Sequence, residues 1–157
     1  MTQVAVCGPS ACTPQEAETA RTVGRLLAER GAVVLCGGYG GVMAAAAAGA
    51  REAGGVAVGI LSGRDAAGAS PDLTVVIPTG MGEARNALIV RAADAVIVVG
   101  GSWGTLSELA LAQRGGTPVV ALGGWSVVDA AGDPVAGPVR AADPADAVRL
   151  ALLTPEL

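Results

Sequence analysis

One stretch in the second half of the chain has residue types and a spacing that suit an anion. Apolar residues 96–99 lead into a glycine-rich turn at residues 100–104, and Leu106, Leu109 and Ala112 follow at helical spacing. This pattern predicts a buried strand, a tight loop and the beginning of a helix. Glycines let the backbone approach a ligand closely, and a first helical turn offers unpaired N–H groups at the positive end of the helix dipole. We therefore expect a bound phosphate there, contacted by Gly100, Gly101, Ser102, Trp103, Gly104 and Thr105.

Within this stretch the polar side chains have separate expected roles. Ser102 is a candidate N-cap for the helix, and Thr105 adds a hydroxyl group. Glu108 lies about one turn further on, where it could reach a sugar attached to the phosphate. An alternative stays open: the glycines could serve only to let the strand and the helix pack closely.

Three further loops follow predicted strands, and a parallel sheet brings all such loops to one edge. One of them places Arg85 near the start of a helix, so Arg85 and Glu108 should face one cleft. Arg85 could hold phosphate or sugar oxygens through its planar guanidinium, and Glu108 could bind ribose hydroxyls or act as a base. The alternatives are an ordinary surface arginine and a carboxylate that stabilises a helix dipole. The other two loops add the candidate ligand-binding residues Gly8, Ser10, Gly37, Gly38, Gly40 and Gly41.

The residue types that are missing exclude several kinds of chemistry. The chain has no His, and all ten basic residues are Arg. Nucleophile systems that need His, most zinc sites, the P-loop lysine and a pyridoxal phosphate Schiff base are therefore excluded. Cys7, Cys12 and Cys36 show no CxxC spacing, so we interpret them as small core side chains and predict no metal site.

Composition indicates a soluble cytoplasmic protein, and the glycine-rich loops described above indicate a small-molecule partner. The 157 residues are 52% hydrophobic, yet no apolar run approaches the about 20 residues of a membrane helix. No signal peptide is visible at the N-terminus. The net charge of −4, without a basic run, predicts no nucleic acid partner.

Strands and helices alternate along the chain. Strands are predicted at residues 3–7, 32–36, 56–61, 73–77, 96–99 and 118–122, with a mobile loop at 62–72 and a long loop at 123–138. Thr13, Pro14 and Glu16 form a capping box for the first helix, and Asp143 caps a closing helix that ends at residue 153. The pattern predicts a single α/β domain over residues 1–157, a Rossmann-like, doubly wound, mainly parallel sheet with helices on both faces.

Four motifs carry a resemblance to a known family: residues 7–10, 37–43, 85–86 and 100–108. In order and spacing they resemble the LONELY GUY (LOG) family, also labelled "possible lysine decarboxylase", which includes phosphoribohydrolases and molybdenum cofactor carrier proteins. Gly100, Ser102 and Asn86 stand where the hydrolases have Pro, Gly and Lys, so the chain is more similar to the carrier-type branch. The resemblance spans residues 4–122 and implies a homodimer or larger homo-oligomer. The alanine-rich helix at residues 44–50 offers a small-residue surface for that assembly.

Two functions remain open. The first is binding or carriage of a nucleotide-like ligand that bears a phosphate, such as a nucleotide or a molybdopterin-type cofactor, with no cofactor required for catalysis. The second is hydrolysis of the N-glycosidic bond of a nucleoside 5′-monophosphate to free base and ribose 5-phosphate, with Arg85 and Glu108 as the catalytic residues. A pyridoxal-dependent lysine decarboxylase is excluded because the chain has no Lys.

Overall fold

The computed structural model of the chain describes residues 1–153. Its centre is a seven-stranded sheet in the order β4-β3-β2-β1-β5-β6-β7, with every neighbouring pair parallel. The strands are β1 (Gln3–Cys7), β2 (Val33–Cys36), β3 (Ala57–Leu61), β4 (Val75–Pro78), β5 (Ala95–Val99), β6 (Val119–Leu122) and β7 (Val139–Arg140). The central strands are continuous apolar runs because helices cover both faces of the sheet.

The described residues also form five α-helices, four of them between strands and the fifth after β7. They are α1 (Pro14–Glu29), α2 (Val42–Glu52), α3 (Asn86–Arg91), α4 (Trp103–Gly115) and α5 (Pro144–Leu152), and a 3₁₀ turn (Gly82–Arg85) precedes α3. Buried residues of α1, α2 and α5 share one apolar cluster on one face of the sheet, whereas those of α3 and α4 share a second cluster. The doubly wound α/β fold expected from the sequence is therefore confirmed.

The helix starts follow the predicted capping signals. Thr13 accepts the N–H of Glu16 while the Glu16 carboxylate accepts the N–H of Thr13, which completes the capping box. Ser102 caps α4 and Asp143 caps α5. These signals are local, so the sequence alone was sufficient to find them.

The small residues of α2 pack within the chain. Ala46, Ala47 and Ala50 are fully buried against α1 and the sheet. At the contact, a Cβ on Gly24 of α1 would lie 2.0 Å from the carbonyl oxygen of Ala46, so the helices approach more closely than a larger side chain allows. This face is therefore not available for the oligomer contact that the sequence suggested for residues 44–50.

Several predicted strand boundaries are corrected. Strands β2, β3 and β6 begin one residue later than expected, and β4 runs from Val75 to Pro78. The sequence did not predict β7, because its two residues are exposed and carry no strand pattern. Residues 62–72 form a loop, as expected from the sequence. Within it the N–H of Ser70 donates to the carbonyl of Gly38, and the N–H of Gly63 donates to the hydroxyl of Tyr39. Within the described residues, no helix is long and apolar enough to cross a membrane.

Candidate functional site at the carboxyl edge of the sheet

The loops selected from the sequence all leave the carboxyl ends of parallel strands. Residues 8–10 follow β1, residues 37–41 follow β2, and residues 100–102 follow β5. The turn that carries Arg85 follows β4, which lies at the edge of the sheet. In open α/β sheets ligands bind at this edge, so the topology brings the predicted elements to the expected side.

The start of α4 has the geometry of an anion-binding helix terminus. Ser102 Oγ accepts the N–H of Thr105 at 3.1 Å, and the two hydroxyl groups are 2.8 Å apart. The N–H and hydroxyl of buried Thr105 are therefore engaged inside the cap and not free for the phosphate contact expected of Thr105 from the sequence. The N–H groups of Trp103 and Gly104, in the first turn, have no preceding helical carbonyl as acceptor. Both residues are exposed.

The first two glycine loops bind each other. The N–H of Val42, at the start of α2, donates to the carbonyl of Pro9 at 3.1 Å. The backbone at Gly41 is packed against the carbonyls of Pro9 and Ser10, while Gly40 faces open space. These contacts give residues 8–10 and 37–41 a structural role at this edge of the sheet.

Arg85 is a half-buried internal residue and not an ordinary surface arginine. Its Nη1 donates to the carbonyls of Gly37 at 2.8 Å and Ile60 at 2.7 Å, and its guanidinium lies 5.7 Å from the centre of the Tyr39 ring. The Nε of Arg85 is buried and has no hydrogen-bond partner among the described residues. Arg85 therefore links the loop after β2 to the end of β3, and one of its guanidinium nitrogens, Nη1, already donates to these two backbone carbonyls.

Glu108 is buried below the loops and is not an exposed carboxylate at a helix end. Only 8% of its surface is exposed, and this burial raises its pKa from the ordinary value of 4.5 to about 7, against the opposing effects of Arg85 and of a hydrogen bond from Cys7. Burial, followed by the charge of Glu108, raises the pKa of Cys7 well above its usual value. Arg85 and Glu108 thus interact electrostatically, as expected from their placement at neighbouring loops, but within a packed cluster.

Sequence reasoning missed two aromatic residues of this edge. Trp125, in the segment read only as a loop, packs edge-on against Trp103 with ring centres 5.1 Å apart and planes at 82°. Tyr39 accepts hydrogen bonds from Ser62 and Gly63 and so holds the 62–72 loop. The scarcity of aromatic residues, two Trp, one Tyr and no Phe, was the available signal.

Within residues 1–153, no group of three or more His, Cys, Asp or Glu side chains is placed to hold a metal ion. The three cysteines are free thiols, with Cys7 and Cys36 buried. Burial raises the pKa of Cys36 to about 11. These side chains are placed as core residues, in agreement with their interpretation from the sequence.

An open parallel sheet with glycine loops at its carboxyl edge defines the Rossmann-like class of α/β proteins. Within this class, the model of the SLOG cluster4 family matches residues 1–147. The chain belongs to the SLOG cluster4 family.

Individual relatives agree with this assignment. An uncharacterised protein of Archaeoglobus fulgidus is 43% identical over 121 residues, which cover 76% of this chain and 79% of the relative. The molybdenum cofactor binding protein from Rippkaea orientalis is 34% identical, with a TM-score of 0.84 over 95% of this chain and 94% of that protein. The molybdenum cofactor carrier protein from Chlamydomonas reinhardtii is 30% identical, with a TM-score of 0.82 over 98% and 97% of the two chains. The resemblance to the carrier-type branch that the sequence motifs indicated is confirmed.

Proposed function

We propose that this protein binds a nucleotide-like ligand that bears a phosphate, as a carrier or binding protein, at the carboxyl edge of the sheet. The observation that carries the proposal is the start of α4. There Ser102 closes the helix cap, and the N–H groups of exposed Trp103 and Gly104 remain directed away from the helix. Such N–H groups, at the positive end of a helix dipole, are suited to a phosphate.

The relatives favour a cofactor as the ligand. Two of the similar structures are described as molybdenum cofactor binding or carrier proteins, and the likeness extends over nearly the whole chain. The sequence resemblance suggests a pterin that bears a phosphate as one ligand of this kind, and the start of α4 is suited to such a phosphate. The proposal therefore includes molybdopterin-type ligands beside nucleotides.

The surroundings of Arg85 and Glu108 favour binding over hydrolysis. The Nη1 of Arg85 is engaged by two backbone carbonyls, and Glu108 accepts a hydrogen bond from Cys7. A guanidinium that binds its own backbone has fewer free donors for a substrate. A buried carboxyl group that holds its proton near neutral pH is also a weaker electrostatic partner for a cationic sugar transition state.

The anion subsite is tested with ribose 5-phosphate, a ligand without an aromatic base, and with two variants of one residue. Trp103→Ala removes the ring but keeps the backbone N–H, whereas Trp103→Pro removes both. Proline is well tolerated at the first helical position, and Ser102 has the extended backbone that a residue before proline requires. By calorimetry we expect the alanine variant to bind like the wild type and the proline variant to bind about 10- to 100-fold more weakly.

Thermal unfolding provides the control, since both variants should keep a cooperative transition. Equal affinities of the two variants for ribose 5-phosphate would show that the N–H of residue 103 does not hold the phosphate. The absence of binding of ribose 5-phosphate and inorganic phosphate to the wild type would contradict the proposed function as a whole.

One observation supports the hydrolase as a second candidate. A carboxyl group with a pKa of about 7 is suited to general acid–base catalysis at neutral pH, and Glu108 has this property close to the glycine loops. The test is incubation of the pure protein with AMP and measurement of free adenine. Release of adenine that is lost in Glu108→Gln, with AMP binding retained, would favour hydrolysis.

A further inference from the structure

The two tryptophans of the chain stand together at the carboxyl edge. Trp103 is the first residue of α4, and Trp125 lies in the segment after β6. Their rings meet edge to face, with centres 5.1 Å apart and an angle of 82° between the planes. We call these two residues the tryptophan corner. Because an edge-to-face contact uses only part of each ring, the corner keeps aromatic surface available to a third ring.

The exposure of the corner is not explained by folding. Trp103 is 79% exposed and Trp125 is 43% exposed, although the chain buries its aliphatic side chains in two extensive clusters. An aromatic side chain has a large surface to remove from water, so an indole left in solvent contributes little to stability. An exposed aromatic residue at a binding edge is the residue type expected to stack on a ligand.

The structure holds one side of the corner firmly. Trp125 packs on the backbone of Gly101, where an added Cβ would lie 2.6 Å from its ring. Arg140 fixes the segment that carries Trp125, since its guanidinium donates to the carbonyls of Gly123 at 2.6 Å and Trp125 at 2.7 Å and to the hydroxyl of Ser126 at 2.7 Å. The ring of Trp125 is therefore a fixed wall against which the Trp103 ring rests.

The corner is continuous with the proposed anion subsite. Trp125 lines a small cavity together with Gly101, Ser102 and Thr105, which form the loop and cap at the start of α4. Trp103 also supplies one of the N–H groups proposed to hold the phosphate. One residue thus joins the two subsites, and a ligand that reaches both must carry a ring within a short distance of its phosphate.

We propose that the tryptophan corner stacks the planar heterocycle of a phosphate ester whose phosphate lies at the start of α4. The inference rests on the proposed function, because it uses the same anion subsite, and it specifies the ligand class as nucleoside monophosphates and pterin phosphates. Stacking on an aromatic side chain tolerates different heterocycles, since each presents a flat π surface. Arg140 acts as a positioning residue, through Trp125.

Indole fluorescence tests this directly, because both tryptophans of the chain belong to the corner. Wild-type protein is titrated with GMP, which shares its aminopyrimidinone ring with pterins, and with AMP, guanosine and ribose 5-phosphate. Affinities come from calorimetry, and quenching reports contact with the indoles. We expect GMP or AMP to quench the fluorescence and to bind about 10- to 100-fold more tightly than ribose 5-phosphate.

The variants separate the ring from the phosphate. Trp103→Ala should bind the nucleotide no more tightly than ribose 5-phosphate, while its affinity for ribose 5-phosphate stays unchanged. Trp103→Phe should keep most of the difference in affinity between the nucleotide and ribose 5-phosphate. Arg140→Gln should lower the nucleotide advantage while the binding of ribose 5-phosphate persists. Because Trp103 is largely exposed, its substitution does not endanger the fold.

The outcomes distinguish this inference from the proposed function. Equal binding of GMP, AMP and ribose 5-phosphate, or a nucleotide advantage that survives in Trp103→Ala, would overturn the stacking role and leave the phosphate site standing. Guanosine quenching without any binding of ribose 5-phosphate would contradict the phosphate site, and it would overturn both the proposed function and the inference in its stated form, leaving only a contact between the base and the indoles. If none of the four compounds binds, both proposals fail.

Discussion

Burial decides the charge of Glu108. The carboxyl group is 8% exposed and its pKa is about 7, so a large fraction of the protein carries it protonated at neutral pH. Unfolding returns the group to water, where its pKa is near 4.5. Between these two values the folded protein keeps a proton that the unfolded chain has already released. The free energy of unfolding therefore falls as the pH rises through this window.

This linkage gives a prediction for Glu108→Gln. The wild type should lose up to about 3 kcal/mol of stability from this group as the pH rises from about 4.5 to above 7, and the neutral amide should not. The stability of the variant relative to the wild type should therefore increase with pH. Urea unfolding at pH 5 and pH 8 measures the difference, with Glu18→Gln, at an exposed position of α1, as the control. A difference that does not change with pH would show that Glu108 is not buried as a neutral acid.

At the scale of elements, the sequence predicted the features that depend on residues close together in the chain, namely the helix caps and the apolar runs of the strands. The caps Thr13, Ser102 and Asp143 were found because the donor and acceptor of each cap lie within three residues of one another. The apolar runs of the strands were found for the same reason. The predicted ends of the strands at the sheet edges were less accurate. The start of β4, for example, is fixed by its pairing with β3, which lies earlier in the chain.

The sequence predicted at which edge of the sheet the candidate site lies, but it did not predict the contacts that its side chains make. Arg85 was placed at the correct edge, but its acceptors at Gly37 and Ile60 are 48 and 25 residues away in sequence. The contact of Trp125 with Trp103 is equally non-local, and nothing in the surrounding segment signals it. Burial of Glu108 depends on how α4 packs on the sheet, where its carboxyl group meets Cys7 at the end of β1, and a periodic pattern in α4 alone does not determine this packing.

The close contact of α1 with α2 gives a prediction at this scale. A methyl group at Gly24 would meet the carbonyl of Ala46 at 2.0 Å, whereas at Gly115, in the last turn of α4, it would meet nothing within 4 Å. Gly24→Ala should therefore destabilise the protein by about 1–3 kcal/mol through overpacking, while Gly115→Ala should be neutral or stabilise it by up to about 1 kcal/mol through helix propensity. Both substitutions are glycine to alanine within a helix, so the comparison isolates the packing.

Denaturant midpoints at one pH measure both effects. A stabilising effect of Gly24→Ala would mean that α1 and α2 can move apart without lowering the free energy of unfolding, and that the small residues of α2 are not required for this contact.

At the scale of the whole molecule, the two edges of the sheet differ. On one side β7 has two residues, one of them the charged Arg140. On the other side β4 presents Val75 and Ile77, each 44% exposed, and it ends at Pro78 without a charged residue. Proteins usually protect an edge strand with charges, a bulge or a covering element. An apolar edge of this kind is a candidate surface for a second copy of the chain, whereas the alanine face of α2 is already covered by α1.

We therefore expect the homodimer that the carrier-type resemblance implies, with the β4 edge contributing to the interface in place of the helix at residues 44–50. Lysine at position 77 would place a charge in that interface, so Ile77→Lys should shift the protein toward monomer. Val128→Lys is a matched control, because Val128 is 54% exposed and lies in the segment after β6, away from β4. Sedimentation velocity over a range of protein concentrations measures both variants beside the wild type. A wild type that remains monomeric at high concentration would contradict the homodimer. A dimer that is unaffected by Ile77→Lys would show that the interface does not include the β4 edge.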